Sequence, residues 1–101
     1  MSPRQRQIIE DAIAQYKRRL RQETNLIFTL AGGRWRITRL FFQKGATQYS
    51  ECHVELVRWT SKWLPGKGHY EVIRGKHLRR LTADSVFEAI NEIVCHRVHA
   101  A

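Results

Sequence analysis

The sequence predicts a two-layer α+β domain: an antiparallel sheet of three to four strands, with an N-terminal and a C-terminal helix packed on one face. Three observations point there. Apolar residues recur at spacings of three and four in the first and last twenty or so residues, alternate singly between them, and are interrupted by Gly and Pro where hairpins would turn. Helix, strands, helix in that order leaves a sheet with both helices on the same side. The 101 residues are expected to form one domain, 1–101.

Ser2 is expected to cap a first helix running to about Glu23, since Gln5 stands three residues on and Pro3 occupies the first helical position. Ile9, Ala12, Ile13, Tyr16 and Leu20 make its buried stripe. Arg4, Gln7, Arg18 and Arg21, flanked by Lys17 and Arg19, make the opposite face, either solvated or an accessory phosphate contact. After Thr24-Asn25 the period becomes two. Leu26, Phe28 and Leu30 face one way, Ile27 and Thr29 the other, and Gly32-Gly33 is expected to supply the turn.

Arg34 to Phe42 returns as a second strand, with Trp35 and Ile37 alternating against Arg34, Arg36 and Thr38. Arg39 followed by Leu40-Phe41-Phe42 breaks the alternation, which predicts a bulge or strand end near Arg39. Gln43 to Ser50 reads as a polar loop. In the third strand, Glu51 to Trp59, Cys52, Val54 and Leu56 share one face, and His53, Glu55, Val57 and Trp59 the other. Residues 60–68 hold Pro65-Gly66 and Gly68 and form a longer connection, Tyr70 to Arg74 is a fourth strand, and Gly75 bends the chain. Thr82 caps a last helix to about His99 with Asp84 in its first turn; Val86, Phe87, Ile90, Ile93, Val94 and Val98 are its core stripe, and Asp84, Glu88 and Glu92 its acidic outer positions.

Eighteen Lys and Arg against nine Asp and Glu give a net charge of +9, and thirteen of those cations are arginine. On so small a chain this favours a polyanionic partner, and arginine favours bidentate phosphate contacts and stacking on bases. The stretch Arg58 to Arg80 sets two tryptophans and a tyrosine among seven cations. Rings interleaved with cations suit stacking on bases and neutralising phosphates. The expected contact residues are Arg34 and Arg36 on the sheet, with Arg58, Trp59, Lys62, Trp63, Lys67, Arg74, Lys76, Arg79 and Arg80. The function expected is non-enzymatic binding of DNA or RNA. The alternative is a regulator or inhibitor that docks on an acidic protein partner.

Two other constellations carry site-like chemistry. Cys95 and His99 lie four apart on a helix, with Cys52 the third ligand a tetrahedral zinc site would need, but compact ligand pairs are lacking and both cysteines read as small buried hydrophobes. His53, His69 and His77 with Glu55 or Glu71 have the chemistry of a metal-independent ribonuclease but no motif. No metal, cofactor or catalytic residue is therefore predicted. Two cysteines make no disulfide framework, no apolar run reaches membrane length, and the N-terminus does not read as a signal peptide, so a cytoplasmic setting is expected with no membrane partner. The chain is expected to be a monomer, or a homodimer through the strand edge Tyr70 to Arg74.

The order of elements is similar to that of double-stranded RNA-binding domains, which are also helix, three strands, helix. That family opens its second helix with lysines, where this chain has Thr82-Ala83-Asp84. The GRWR strand opening and the LTADSVFEAI helix resemble the sheet-and-helix DNA readers of phage integrases, without matching residues through the hairpin. No site residue carries over from either family, and none is assigned.

Overall fold

A capping box opens the first helix: the Ser2 N–H donates to Gln5 Oε1 at 2.9 Å and the Gln5 N–H to Ser2 Oγ at 3.1 Å. The computed structural model describes residues 1–18, 26–61 and 68–99. Its elements are α1 (Pro3–Arg18), β1 (Phe28–Leu30), β2 (Gly33–Lys44), β3 (Thr47–Thr60), β4 (His69–Leu78) and α2 (Ala83–His99). The expected continuation of α1 to Glu23, including Leu20, Arg19 and Arg21, lies outside the described residues, as do the side chains of Val98 and His99.

The four strands form one antiparallel sheet in sequence order, β1-β2-β3-β4. The predicted α+β architecture is present, with four strands. Register fixes the two faces. Trp35 and Ile37 on β2 stand opposite Leu56 and Val54 on β3, and Leu78 on β4 opposite Cys52. All but the part-buried Cys52 form the core with Ile9 and Ile13 of α1 and Val86, Ala89, Ile90 and Ile93 of α2, so both helices cover this one face. Trp35 is its largest fully buried side chain, and its indole N–H donates to the Leu30 carbonyl at 2.7 Å. The ring thereby fills the core while satisfying a carbonyl at the end of β1. Thr82 caps α2 as expected, its Oγ1 accepting the Ser85 N–H at 3.2 Å.

Four local expectations are corrected. The β1–β2 turn is Ala31-Gly32, at φ 50° and 73°, and not Gly32-Gly33; two positive φ values match a type I′ turn. Gly33 already belongs to β2, where a Cβ would sit 2.9 Å from Leu56 Cδ1. The supposed loop Gln43 to Ser50 is a tight hairpin. β2 and β3 pair without interruption from Arg34↔Val57 to Lys44↔Thr47 and turn on Gly45-Ala46, with Gly45 at φ 61°. Consequently no bulge or strand end occurs near Arg39. The irregularity lies between β3 and β4, where Leu56 pairs with Arg74 but Val57 with Val72, and β4 passes straight through Gly75 to Leu78.

The break in alternation at Leu40-Phe41-Phe42 has a different cause. Pairing with β4 ends at Cys52↔Leu78, so beyond Leu40↔Glu51 the β2–β3 hairpin leaves the body as a two-stranded ribbon. Residues 41–50 are all exposed. A ribbon with water on both sides has no core to impose alternation. The Cα radius of gyration, 14.5 Å, exceeds the roughly 13 Å of a compact chain this long, as a projecting ribbon requires.

Candidate nucleic-acid interface

The sheet face opposite the helices carries the even-numbered residues of β2 from Arg34 and the odd-numbered residues of β3, as register dictates. No described element covers it. Arg34, Arg36, His53, Glu55 and Trp59 share it, as the sequence predicts. Val57 lies there too, between Arg34 and Val72 in register, buried yet separate from the core under the helices.

Two groups of rings stand on this face. Towards the ribbon, Tyr49 stacks on Phe42 (centroids 5.4 Å), Phe42 lies 6.2 Å from His53, and His53 stacks on His77 at 5.4 Å, a row crossing β2, β3 and β4. His53 Nε2 is 3.0 Å from Glu51 Oε1. At the other end, Trp59 meets the Tyr70 ring edge to face at 5.0 Å. Trp59 is 51% exposed and lies over Gly68, where a Cβ would come within 2.1 Å of the indole. Six residues of extended chain, about 20 Å, separate His53 from Trp59.

Between the groups, Arg36 Nε donates to Glu55 Oε1 at 2.7 Å, with the side chains only 16% and 7% exposed. Gly75 makes room for this pair, because a Cβ there would approach Glu55 Cγ to 3.3 Å. Arg36 is thus a neutralised, positioned guanidinium, whereas Arg34 is exposed with no ion pair among the described residues.

The structure divides the remaining expected contact residues. Lys76 lies on the helix side of the sheet, opposite Val54, and is ion-paired with Glu92 of α2. Arg74 faces the same side opposite Leu56, and Arg58 pairs with Glu71 at 3.3 Å. Arg79 and Arg80 are exposed immediately after β4, two and three residues beyond His77. Lys62, Trp63 and Lys67 lie outside the described residues. Of the acidic positions on α2, Asp84 accepts from Arg6 at 2.9 Å.

The sequence puts His53 on this face and His77 in the basic stretch, but the rings of Phe42 and Tyr49 are absent from what it leads one to expect. The four rings fall on three strands, and only the register of the predicted "loop" brings Tyr49 beside Phe42. The histidines with ribonuclease-like chemistry are partly assembled: His53 and His77 touch, His69 sits apart at the start of β4, and Glu55 is committed to Arg36. Cys95 is exposed on α2, and Cys52 is part-buried beside the core. Burial pushes the Cys52 thiol up from its ordinary range, with the nearby Tyr16 and Arg39 opposing that shift. Tyr16 is raised likewise by burial, although its hydroxyl accepts from Arg39 Nε at 3.4 Å. Among the described residues no three His, Cys, Asp or Glu side chains are grouped to hold a metal ion, and no helix is long and apolar enough to cross a membrane.

Comparison with protein-family models, curated proteins and solved structures finds no match.

Proposed function

We infer that this chain is a non-enzymatic nucleic-acid-binding protein that takes unpaired bases on its open sheet face, in a reducing cytoplasm where both cysteines remain thiols. The observation that carries the reading is the two ring groups, Tyr49–Phe42–His53–His77 and Trp59–Tyr70, on an uncovered face of a chain with net charge +9. Exposed rings on a sheet accept bases that are free of a duplex, and each stacked base contributes about 1–3 kcal/mol. Arg34 supplies charge on the face, and Arg79 and Arg80 supply it at the rim beside His77. Phosphate contacts there set affinity without reading sequence.

The test is a fluorescence-anisotropy titration of labelled single-stranded and duplex DNA and RNA against wild type and Trp59→Ala over a salt series. Trp59→Ala is expected to weaken single-strand binding roughly 5- to 150-fold, the range set by one lost stacking contact, with the salt slope unchanged. Absence of binding to any of the four at low salt would refute the reading. It would transfer the face to the alternative, an acidic protein partner anchored by the same rings.

A further inference from the structure

Among the described residues, the outer edge of β2 is paired only where β1 runs beside it, at Gly33 to Trp35. From Arg36 to Lys44 no described strand lies alongside. The direction of its backbone groups follows from the turns. A two-residue turn closes on a hydrogen-bonded pair, here Lys44 with Thr47, and bonded and non-bonded pairs then alternate. Leu40 and Phe42 therefore bond inward to β3, and the N–H and C=O groups of Ile37, Arg39, Phe41 and Gln43 point outward. The β1–β2 turn gives the same parity, because Gly33 and Trp35 are the β2 residues that bond outward to β1.

Open edges in natural sheets are blunted by proline, bulges or dense charge. β4, at the opposite side of the sheet, has the irregularity beside Val72. The β2 edge has no proline, and its pairing with β3 is unbroken. It also presents Leu40-Phe41-Phe42, with Phe41 79% exposed. Arg36, Arg39 and Lys44 put charge along this edge, but from Leu40 to Gln43 it has no proline, bulge or charge, and such a bare aromatic stretch of edge is the signature of a strand-pairing interface.

We propose that two copies of this chain associate edge to edge through β2, antiparallel across a two-fold axis at Phe41. In that register Phe41 meets Phe41 of the second copy, Leu40 meets Phe42, Arg39 meets Gln43 and Thr38 meets Lys44, so every cation faces a neutral residue. Apolar residues then lie opposite one another on both faces of the ribbon. Moving the axis to Leu40 would set Arg36 against Lys44, and moving it to Phe42 would set Leu40 against Lys44. A shift of odd parity would set the outward-pointing backbone groups of one copy against residues of the other that bond inward to β3, so no ladder could form. The proposal replaces the β4 edge expected from the sequence and does not depend on nucleic-acid binding. The two also respond oppositely to salt: screening eases repulsion between two chains of +9 and strengthens the dimer, whereas it weakens phosphate contacts.

Sedimentation velocity on nuclease-treated protein at low and high salt tests it. The expected species has twice the 11.9 kDa chain mass and gains population with salt. Phe41→Asp is expected to weaken association at least about 100-fold, because two rings lose their burial. Gln43→Pro, which removes an outward N–H on the exposed ribbon, is expected to weaken it as well, and Ile73→Asp on β4 to leave it unchanged. Far-UV circular dichroism verifies that each variant is folded. A single-chain mass at both salt concentrations up to about 100 μM would overturn the proposal, on the affinity scale of weak dimers. So would a dimer that survives both β2 changes, or one that Ile73→Asp dissolves.

Discussion

Replacing Glu55 with glutamine should move stability and nucleic-acid affinity in opposite directions. In the folded chain the Glu55 carboxylate is 7% exposed and accepts from Arg36 at 2.7 Å, with the arginine itself 16% exposed. Glutamine keeps the shape and one acceptor but leaves Arg36 largely desolvated without a counter-charge. Removing one member of a fully buried pair costs about 3–5 kcal/mol. With some exposure and a retained hydrogen bond, about 2 kcal/mol is expected here, which lowers Tm by roughly 8–16 °C in a domain of this size. The same change adds one uncompensated positive charge midway between the two ring groups. Single-strand affinity should rise at low salt, and the slope of log K against log salt should steepen by about 0.7. Thermal melts followed by circular dichroism measure the first effect, and anisotropy titrations at three or more salt concentrations, below the lowered Tm, measure the second. A drop in Tm with no change in affinity or slope would mean that the open sheet face is not the binding surface. An unchanged Tm would mean that the pair contributes nothing to the fold.

Other outcomes are equally specific. Replacing Arg79 and Arg80 together with alanine should weaken binding equally across oligonucleotide sequences and flatten the single-strand salt slope by up to about 1.4, two phosphate contacts' worth; a salt series on the double variant checks this. Ala31→Gly should raise stability by about 0.5–1 kcal/mol, since a side chain at φ 50° is strained, seen as a higher denaturant midpoint at constant m. Because the folded-state pKa values of Cys52 and Tyr16 are raised by burial, the folded chain holds protons that the unfolded chain releases. Their stabilising effect is whole below the ordinary thiol pKa of about 8.5 and is lost as pH rises above it, so denaturant midpoints should fall between pH 8 and 10 and fall less in Cys52→Ala. Alkylation at pH 8 should label exposed Cys95 ahead of Cys52, as peptide mass mapping will report.

The fold was legible wherever a core imposes a period. The stripe Ile9, Ile13 and the stripe Val86, Ile90, Ile93 were readable because each must face the sheet, and Trp35, Ile37, Val54 and Leu56 because alternate residues of β2 and β3 must face the helices. Legibility stopped where burial stopped. The ribbon around Gly45 has water on both sides, so its sequence shows only polarity and reads as a loop. The site was half legible for a related reason. Alternation placed Arg34, Arg36 and Trp59 on the open face, but which cations are free depends on partners far away in sequence. Glu92 holds Lys76, Glu71 holds Arg58 and Glu55 holds Arg36, and no local pattern announces those pairings. The row Tyr49–Phe42–His53–His77 was invisible for the same reason, since it exists only once register is known.

The two helices that cover the core come from opposite sides of the sheet in sequence, with Arg6 of α1 joined to Asp84 of α2 and Ile9 and Ile13 in one cluster with Ile90 and Ile93. During synthesis the strands therefore emerge before α2 exists to cover them. Hairpins β1–β2 and β2–β3, closed by two-residue turns, can form early and locally, but closing the helical layer requires contacts across most of the chain, the slow class of event. In that interval the apolar face of the sheet and the bare β2 edge are open together. A chaperone would meet this protein as a nascent sheet, and the yield of folded chain should depend on how quickly α2 follows β4 out of the ribosome.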